Sequence, residues 1–274
     1  MKGHKSAVSH VLVSSQDHLI CSISGDKNVR LWDLRDYSCR QSIHGRNLNI
    51  GGGMTESLIS AAYQNSRTGE IVVGAHQLGM FETKGKRFGK NMLNSRNNIC
   101  ITSHSKPVTS VLYNALFDEV VTASEDAMVG VWDIRSGQKQ MLFTVEKGVE
   151  ITALSFDSTG RRLITGSRNG KVKVWNFNNG ACLRTLNTTD QVEVSSIVCP
   201  KQYITTAGWN KKLTGYIDSY TDDTFHSFKE RHSDDILALA YHNSENILAS
   251  GSYDGDILIW SIEFEDAVLR YVET

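Results

Sequence analysis

The chain has 274 residues, 40% of them hydrophobic and 22% charged, a balance that suits a globular core and is unlike a disordered chain. Its 29 Lys and Arg against 30 Asp and Glu leave a formal net charge of -1, which excludes a globally basic nucleic-acid clamp. Its 2 prolines exclude a Pro-rich linker, no apolar run reaches a membrane span, and no apolar N-terminal segment reads as a secretory signal, so a cytoplasmic location is expected.

The predicted elements are short strands. Val8 to Val13 is apolar, His18 to Ile23 alternates, Val29 to Trp32 is β-rich, and Cys39 to Ile43 closes the unit. A weak second copy follows, in which Gly69 to Gly74 leads to Phe81 with no matching His or Asp. The third copy carries Thr122, Asp126 and Trp132, and the fourth Thr165, Asn169 and Trp175. The fifth carries Thr206, Asn210 and Tyr216, and the sixth Ser250, Asp254 and Trp260. In each of these, as in Ser22, Asp26 and Trp32, an Asp or Asn follows the hydroxyl residue by four and precedes the aromatic by six. His4, His104 and His232 each precede their Asp by 22 residues. The repeat has a period of about 45 residues. Asp-Gly-Asp and Asn-Gly-Lys mark hairpin turns between the second and third strands. The expected fold is therefore all-β, a propeller of six four-stranded blades over 1–274. The blades fall at about 3–45, 46–102, 103–145, 146–187, 188–228 and 229–274. Ala267 to Val272 reads as the outer strand of the sixth copy, so no N-terminal strand is lent to it. The ring is then sealed by side-chain packing alone, or is an open arc within a longer parent.

These units resemble WD40 repeats, with Gly3-His4 near the start of a copy and Trp32-Asp33 or Trp132-Asp133 near its end. The resemblance implies a non-enzymatic scaffold that binds proteins or peptides on its rims, with no cofactor. Arg168-Asn169-Gly-Lys-Val-Lys-Val-Trp175-Asn176 and Ala207-Gly208-Trp209-Asn210-Lys211 resemble the ciliary WD repeat-containing protein 49 and 64 family. That narrower likeness implies a ciliary or axonemal scaffold. The family joins EF-hand segments to propellers, and no EF-hand loop occurs here, so it would be part of such a protein. Trp32-Asp33-Leu34-Arg35 and Trp132-Asp133-Ile134-Arg135 are similar to the motif of WD40 receptors that dock on the damage-binding adaptor of cullin-4 ubiquitin ligases. This implies Arg35 and Arg135 as docking residues, and a substrate receptor as the alternative function.

His4, Ser22 and Asp26 are the residue types of a hydrolase triad. The set recurs with His104, Thr122 and Asp126, and with His232, Ser250 and Asp254. Each comes with its Trp32, Trp132 or Trp260. A catalytic set need occur only once, so a repeated one reads as structural: His bridges Asp and hydroxyl, and the hydroxyl meets the indole. No phosphate-binding loop, HExxH or nucleophile elbow is present, and His76 stands alone. The 5 cysteines form no CxxC pair, so neither a zinc site nor a disulfide framework is indicated, and no metal is expected.

Two stretches suggest partners. Lys84, Lys86, Arg87 and Lys90 lie in a basic loop over 84–96, a candidate site for an acidic partner or other anion. With Phe88 as the only aromatic in its basic core, nucleic acid is not expected there, nor is a membrane. The residue before each turn Asp or Asn lies on one rim of a propeller, and in copies four to six it is Arg168, Trp209 and Tyr253. Arg, Trp and Tyr are enriched at binding hot spots. The expected ligand is a peptide with a carboxylate for Arg168 and an apolar anchor for the rings. Asp234 and Asp235 would favour a basic residue beside that anchor.

Overall fold

The computed structural model describes residues 3–14, 18–26, 28–44, 61–64, 70–74, 78–82, 104–134, 136, 138–186, 191–201, 203–217, 225–228, 231–261 and 266–271. Every regular element among them is a β-strand, and contacts gather the chain into two compact units, 1–144 and 145–274.

The first unit opens with β1 (Val8–Ser14), β2 (Leu19–Ser24), β3 (Asn28–Asp33) and β4 (Cys39–His44), an antiparallel sheet in chain order. β5 (Ala61–Gln64), β6 (Glu70–Gly74) and β7 (Leu78–Glu82) form a three-stranded sheet. β8 (Val108–Asn114), β9 (Glu119–Ser124), β10 (Met128–Asp133) and β11 (Lys139–Thr144) make the next sheet of four. The second unit holds three more. They are β12 (Ile151–Phe156), β13 (Arg162–Ser167), β14 (Val172–Asn176) and β15 (Cys182–Leu186); β16 (Val194–Val198), β17 (Tyr203–Gly208), β18 (Leu213–Ile217) and β19 (Phe225–Ser227); and β20 (Ile236–His242), β21 (Ile247–Ser252), β22 (Ile257–Ser261) and β23 (Asp266–Tyr271).

Five of the expected four-stranded blades are therefore present, and six are not. The second copy forms three strands among the described residues. It lacks the His, Asp and Trp that three of the others carry. The sheet of the sixth copy is completed by its own β23, while residues 3–7 form no strand.

Burial explains the strand sequences. β9, β13 and β17 are covered on both faces from their second residue onward, so they read as near-continuous runs of small, branched and hydroxyl residues. Ile164, Val174, Ile197, Ile204 and Tyr216 share one core, and Leu213, Ile236, Leu248, Leu258 and Trp260 share the next. The outer strand β11 alternates between exposed and half-buried residues and carries Lys139 and Gln140.

A bulge recurs near the start of each first strand of the five four-stranded sheets, at Ser9, Thr109, Thr152, Ser195 and Leu237. The four hydroxyls satisfy a carbonyl of the neighbouring strand, of Ile23, Ala123, Gly166 and Ala207, at 3.2–3.3 Å. Within the second unit they also fasten sheet to sheet. Thr152 Oγ1 donates to the carbonyl of Val194 at 2.6 Å, and the Ser195 hydroxyl to that of Ile236. A bulge aims its extra side chain out of the ladder, and here that side chain is a fastener.

Candidate functional site: the turn rim of the four-stranded sheets

The hairpin between second and third strands presents the site residues. Its Asp or Asn folds back on the chain: Asp26 Oδ1 accepts the N–H of Asn28, Asp126 that of Met128, Asn169 that of Lys171, Asn210 that of Lys212 and Asp254 that of Asp256, at 3.0–3.3 Å. The residue between turns left-handed, as at Ala127, Gly170, Lys211 and Gly255.

Behind three of these turns lies the repeated set. His4 Nδ1 stands 3.1 Å from both carboxylate oxygens of Asp26, and its Nε2 2.7 Å from Ser22 Oγ. Trp32 Nε1 donates to the same Oγ at 2.7 Å. His104 meets Asp126 at 3.1 Å and Thr122 at 2.8 Å, and Trp132 Nε1 donates to Thr122 at 2.9 Å. His232 Nε2 lies 2.6 Å from Ser250 Oγ, which accepts from Trp260 Nε1 at 2.7 Å, and the Ser233 hydroxyl donates to Asp254. With a neutral ring, the Nδ1–H of His4 and of His104 donates to the carboxylate, a bond the third set does not repeat, and in all three the hydroxyl gives its proton to Nε2 while accepting the indole N–H. The order is that of a hydrolase triad, but the hydroxyls of Ser22, Thr122 and Ser250 belong to residues 6%, 0% and 0% exposed, and each is committed to an indole. No substrate carbonyl can reach them. Sheet four keeps only the outer pair, Trp175 Nε1 to Thr165 at 3.0 Å, with Glu146 held by Lys171 near Asn169.

The electrostatics of the set tie its stability to pH. Burial pushes Asp126 up, but the N–H of Ser105 and then His104 more than offset it, leaving its carboxyl below the ordinary 3.8. Asp26 is held low in the same way, by the N–H of Lys5 and by His4. The Ser233 hydroxyl is the main cause of the low value at Asp254. Burial lowers His104 below its ordinary 6.5 against the pull of Asp126. A group depressed in the fold contributes stability above its unfolded value and loses it as pH falls toward the folded one. The melting temperature is expected to start falling below pH 6.5 and to fall faster below 3.8. His104→Gln flattens the first part of that profile, leaving the share of His10, which burial also depresses.

On the rim itself, the N–H before each turn residue bonds the carbonyl of the residue ahead of the first strand. Gly25 bonds Ala7, Glu125 bonds Pro107, Arg168 bonds Glu150, Trp209 bonds Glu193 and Tyr253 bonds Asp235. These five positions are equivalent, so Arg168, Trp209 and Tyr253 occupy successive turns of the second unit, whose sheets pack in order through β12, β16 and β20. Trp209 is 49% exposed and Tyr253 75%.

Arg168 is engaged within the fold. Its guanidinium is 2.5 Å from Glu150 Oε2 and 3.7 Å from Glu193, so its charge is already met by two carboxylates. Asp234 lies 3.7 Å from Lys211 Nζ, and its Oδ1 accepts the N–H of Asp235 at 2.9 Å. Glu150 and Glu193 were missed because nothing next to Arg168 in sequence marks them. The available signal is the acid one residue ahead of the first strand in three successive copies: Glu150, Glu193 and Asp235 against Ala7 and Pro107.

The other candidates separate. Arg35 is exposed and its N–H bonds Asp33, whose carboxylate pairs with Arg40 at 2.8 Å instead. Arg135, His76, Cys100 and the basic residues Lys84, Lys86, Arg87 and Lys90 lie outside the described residues. Cys21, Cys39, Cys182 and Cys199 are in no disulfide among the described residues. Among the described residues no cluster of His, Cys, Asp or Glu is placed to hold a metal ion, and no helix is long and apolar enough to cross a membrane.

Comparison with known proteins agrees with the repeat. Residues 1–33 and 224–261 match the WD domain, G-beta repeat, and residues 112–212 match the anaphase-promoting complex subunit 4 WD40 domain. Over 99% of its length the chain is 29% identical to a "WD repeat-containing protein on Y chromosome" of Anopheles gambiae. It is 27% identical to the protein so described in Drosophila ananassae and 26% to that of Drosophila mojavensis. It covers 26%, 26% and 22% of those proteins, so the chain spans about a quarter of the length of the curated relatives it matches. The narrower ciliary likeness is carried by residues 168–176 and 207–211, and these matches are to WD repeat-containing proteins more broadly. The chain carries WD40 repeats in an all-β propeller fold.

Proposed function

We propose that this is a non-enzymatic interaction scaffold that binds a peptide or protein segment on the turn rim of sheets four to six. One observation carries the reading. Trp209 and Tyr253 stand exposed on adjacent turns, with no ring contact or side-chain hydrogen bond among the described residues. A large aromatic in a polar turn does nothing there for folding, whereas rigid aromatic rings are the side chains that anchor partners. The hydroxyls of the repeated set are buried and engaged, so the reading makes no use of them. The ciliary setting rests on the resemblance of residues 168–176 and 207–211, and makes ciliated cells the place to look.

Trp209→Ala is expected to weaken partner binding by about 2 kcal/mol while leaving the melting temperature nearly unchanged. Capture from lysates of ciliated cells with wild-type and Trp209→Ala chains reads the first, and thermal unfolding the second. Equal capture by the two chains would overturn the rim as the binding face.

A further inference from the structure

Arg168, once paired, no longer offers a cation to a ligand, and this changes the sign of the rim. Glu150 and Glu193 share its single guanidinium. Asp235, beneath Tyr253, has neither an ion pair nor a side-chain hydrogen bond among the described residues. Glu193 also lines a small open cleft with Thr206, Gly208, Asn210 and Tyr216. In the first and third sheets an imidazole lies between the hydroxyl and the turn acid; here the position four residues ahead of the first strand is Asp190 in the sequence. The cleft mouth is bordered by the Trp209 turn, whose N–H is fixed to the Glu193 carbonyl at 3.2 Å. Successive turns thus join, through a backbone hydrogen bond, a residue that carries a ring to one that carries a carboxylate: Trp209 to Glu193, and Tyr253 to Asp235. The same positions in the first unit hold Gly25 with Ala7 and Glu125 with Pro107, and offer no ring.

We propose that the rim takes a cationic segment, with one Lys or Arg of the partner seated at Glu193 beside Trp209 and a second basic residue at Asp235 beside Tyr253. The proposal rests on the rim reading above and names its ligand. A guanidinium or ammonium gains from the ring face and from a partly desolvated carboxylate together. A partner carboxylate, by contrast, would have to displace Glu150 from Arg168 and then face Glu193 and Asp235. Arg168 is therefore a competitor for the seat and not the anchor.

The test is selection of a random-sequence peptide library on the intact chain, with Trp209→Ala as the counter-selection, followed by fluorescence polarisation of the enriched peptides. The expected result is enrichment of Lys or Arg, with binding that weakens as salt rises. Glu193→Gln should weaken it about tenfold. Arg168→Ala should tighten it about threefold, the opposite of what an anchoring Arg would do. Melting temperatures of both variants confirm that the fold is kept. Enriched peptides that are acidic or uncharged, or weaker binding by Arg168→Ala, overturn the cationic ligand and leave the rim standing. No enrichment over Trp209→Ala overturns the rim itself.

Discussion

Gly208→Ala is expected to lose about 3 kcal/mol of stability, a cost at the upper end for adding one methyl to a packed site. Gly208 ends β17, and a Cβ built there stands 1.9 Å from the carbonyl oxygen of Glu193 and 3.0 Å from its carbon. Both atoms are backbone, so no side chain can swing away. The carbonyl is held in place because it accepts the N–H of Trp209 at 3.2 Å. The equivalent residues of the other four-stranded sheets are Ser24, Ser124, Ser167 and Ser252. There a side chain has room, and the hydroxyls of Ser24 and Ser124 donate to the carbonyls of Ser6 and Lys106 at 3.0 and 3.1 Å. Gly251→Ala is the matched control: a Cβ at Gly251 meets nothing within 4 Å, so its stability holds or rises by a few tenths of a kcal/mol. Urea unfolding of the two variants beside the wild type decides the point. A Gly208→Ala midpoint equal to that of Gly251→Ala would mean that the Glu193 carbonyl is not fixed against β17. The same clash would disturb the rim, so Gly208→Ala is no substitute for Trp209→Ala in a binding assay.

The parts of this molecule that could be read from its sequence are those whose partners recur at a constant spacing. Ser22 and Trp32 stand on neighbouring strands of one sheet, with Asp26 in the turn between them and His4 just ahead of the first strand, so the ladder that joins the strands also sets their separation along the chain. The hairpin turns were legible because an Asx and a left-handed residue have a local chemistry. The pairing of Arg168 was not, because Glu193 comes from the next sheet and no short-range pattern links the two. The hydroxyls of Ser9, Thr109, Thr152 and Ser195 were not either. A single Ser or Thr in a strand is unremarkable until the bulge shows it turned toward a carbonyl. In the second copy the absence of His and Asp was visible. What it implied for the sheet, three described strands and not four, depends on tertiary support that a strand pattern does not carry.

Thr122→Val should cost about 3 kcal/mol although it removes no volume, since valine has the shape of threonine without the hydroxyl. Thr122 is fully buried on β9, and its one oxygen joins two groups that have no water to turn to. It accepts the indole N–H of Trp132 at 2.9 Å and lies 2.8 Å from His104 Nε2. Losing it strands both at once, at about 1–3 kcal/mol for each buried group left unpaired. Relief by movement is blocked on one side. Gly130 has no Cβ because one would stand 2.9 Å from the indole nitrogen and 3.0 Å from the threonine oxygen, so the indole already lies flat against the β10 backbone. Thr122→Ser keeps the oxygen and deletes a methyl, and should cost only about 1 kcal/mol. The order Thr122→Val below Thr122→Ser in melting temperature is the signature of a polar chain; the reverse order would make the site ordinary packing. His104→Ala, which leaves Asp126 and the hydroxyl each one partner short, should fall with Thr122→Val. A double variant of the two should cost less than the sum of both, because the second change removes a group the first had already stranded.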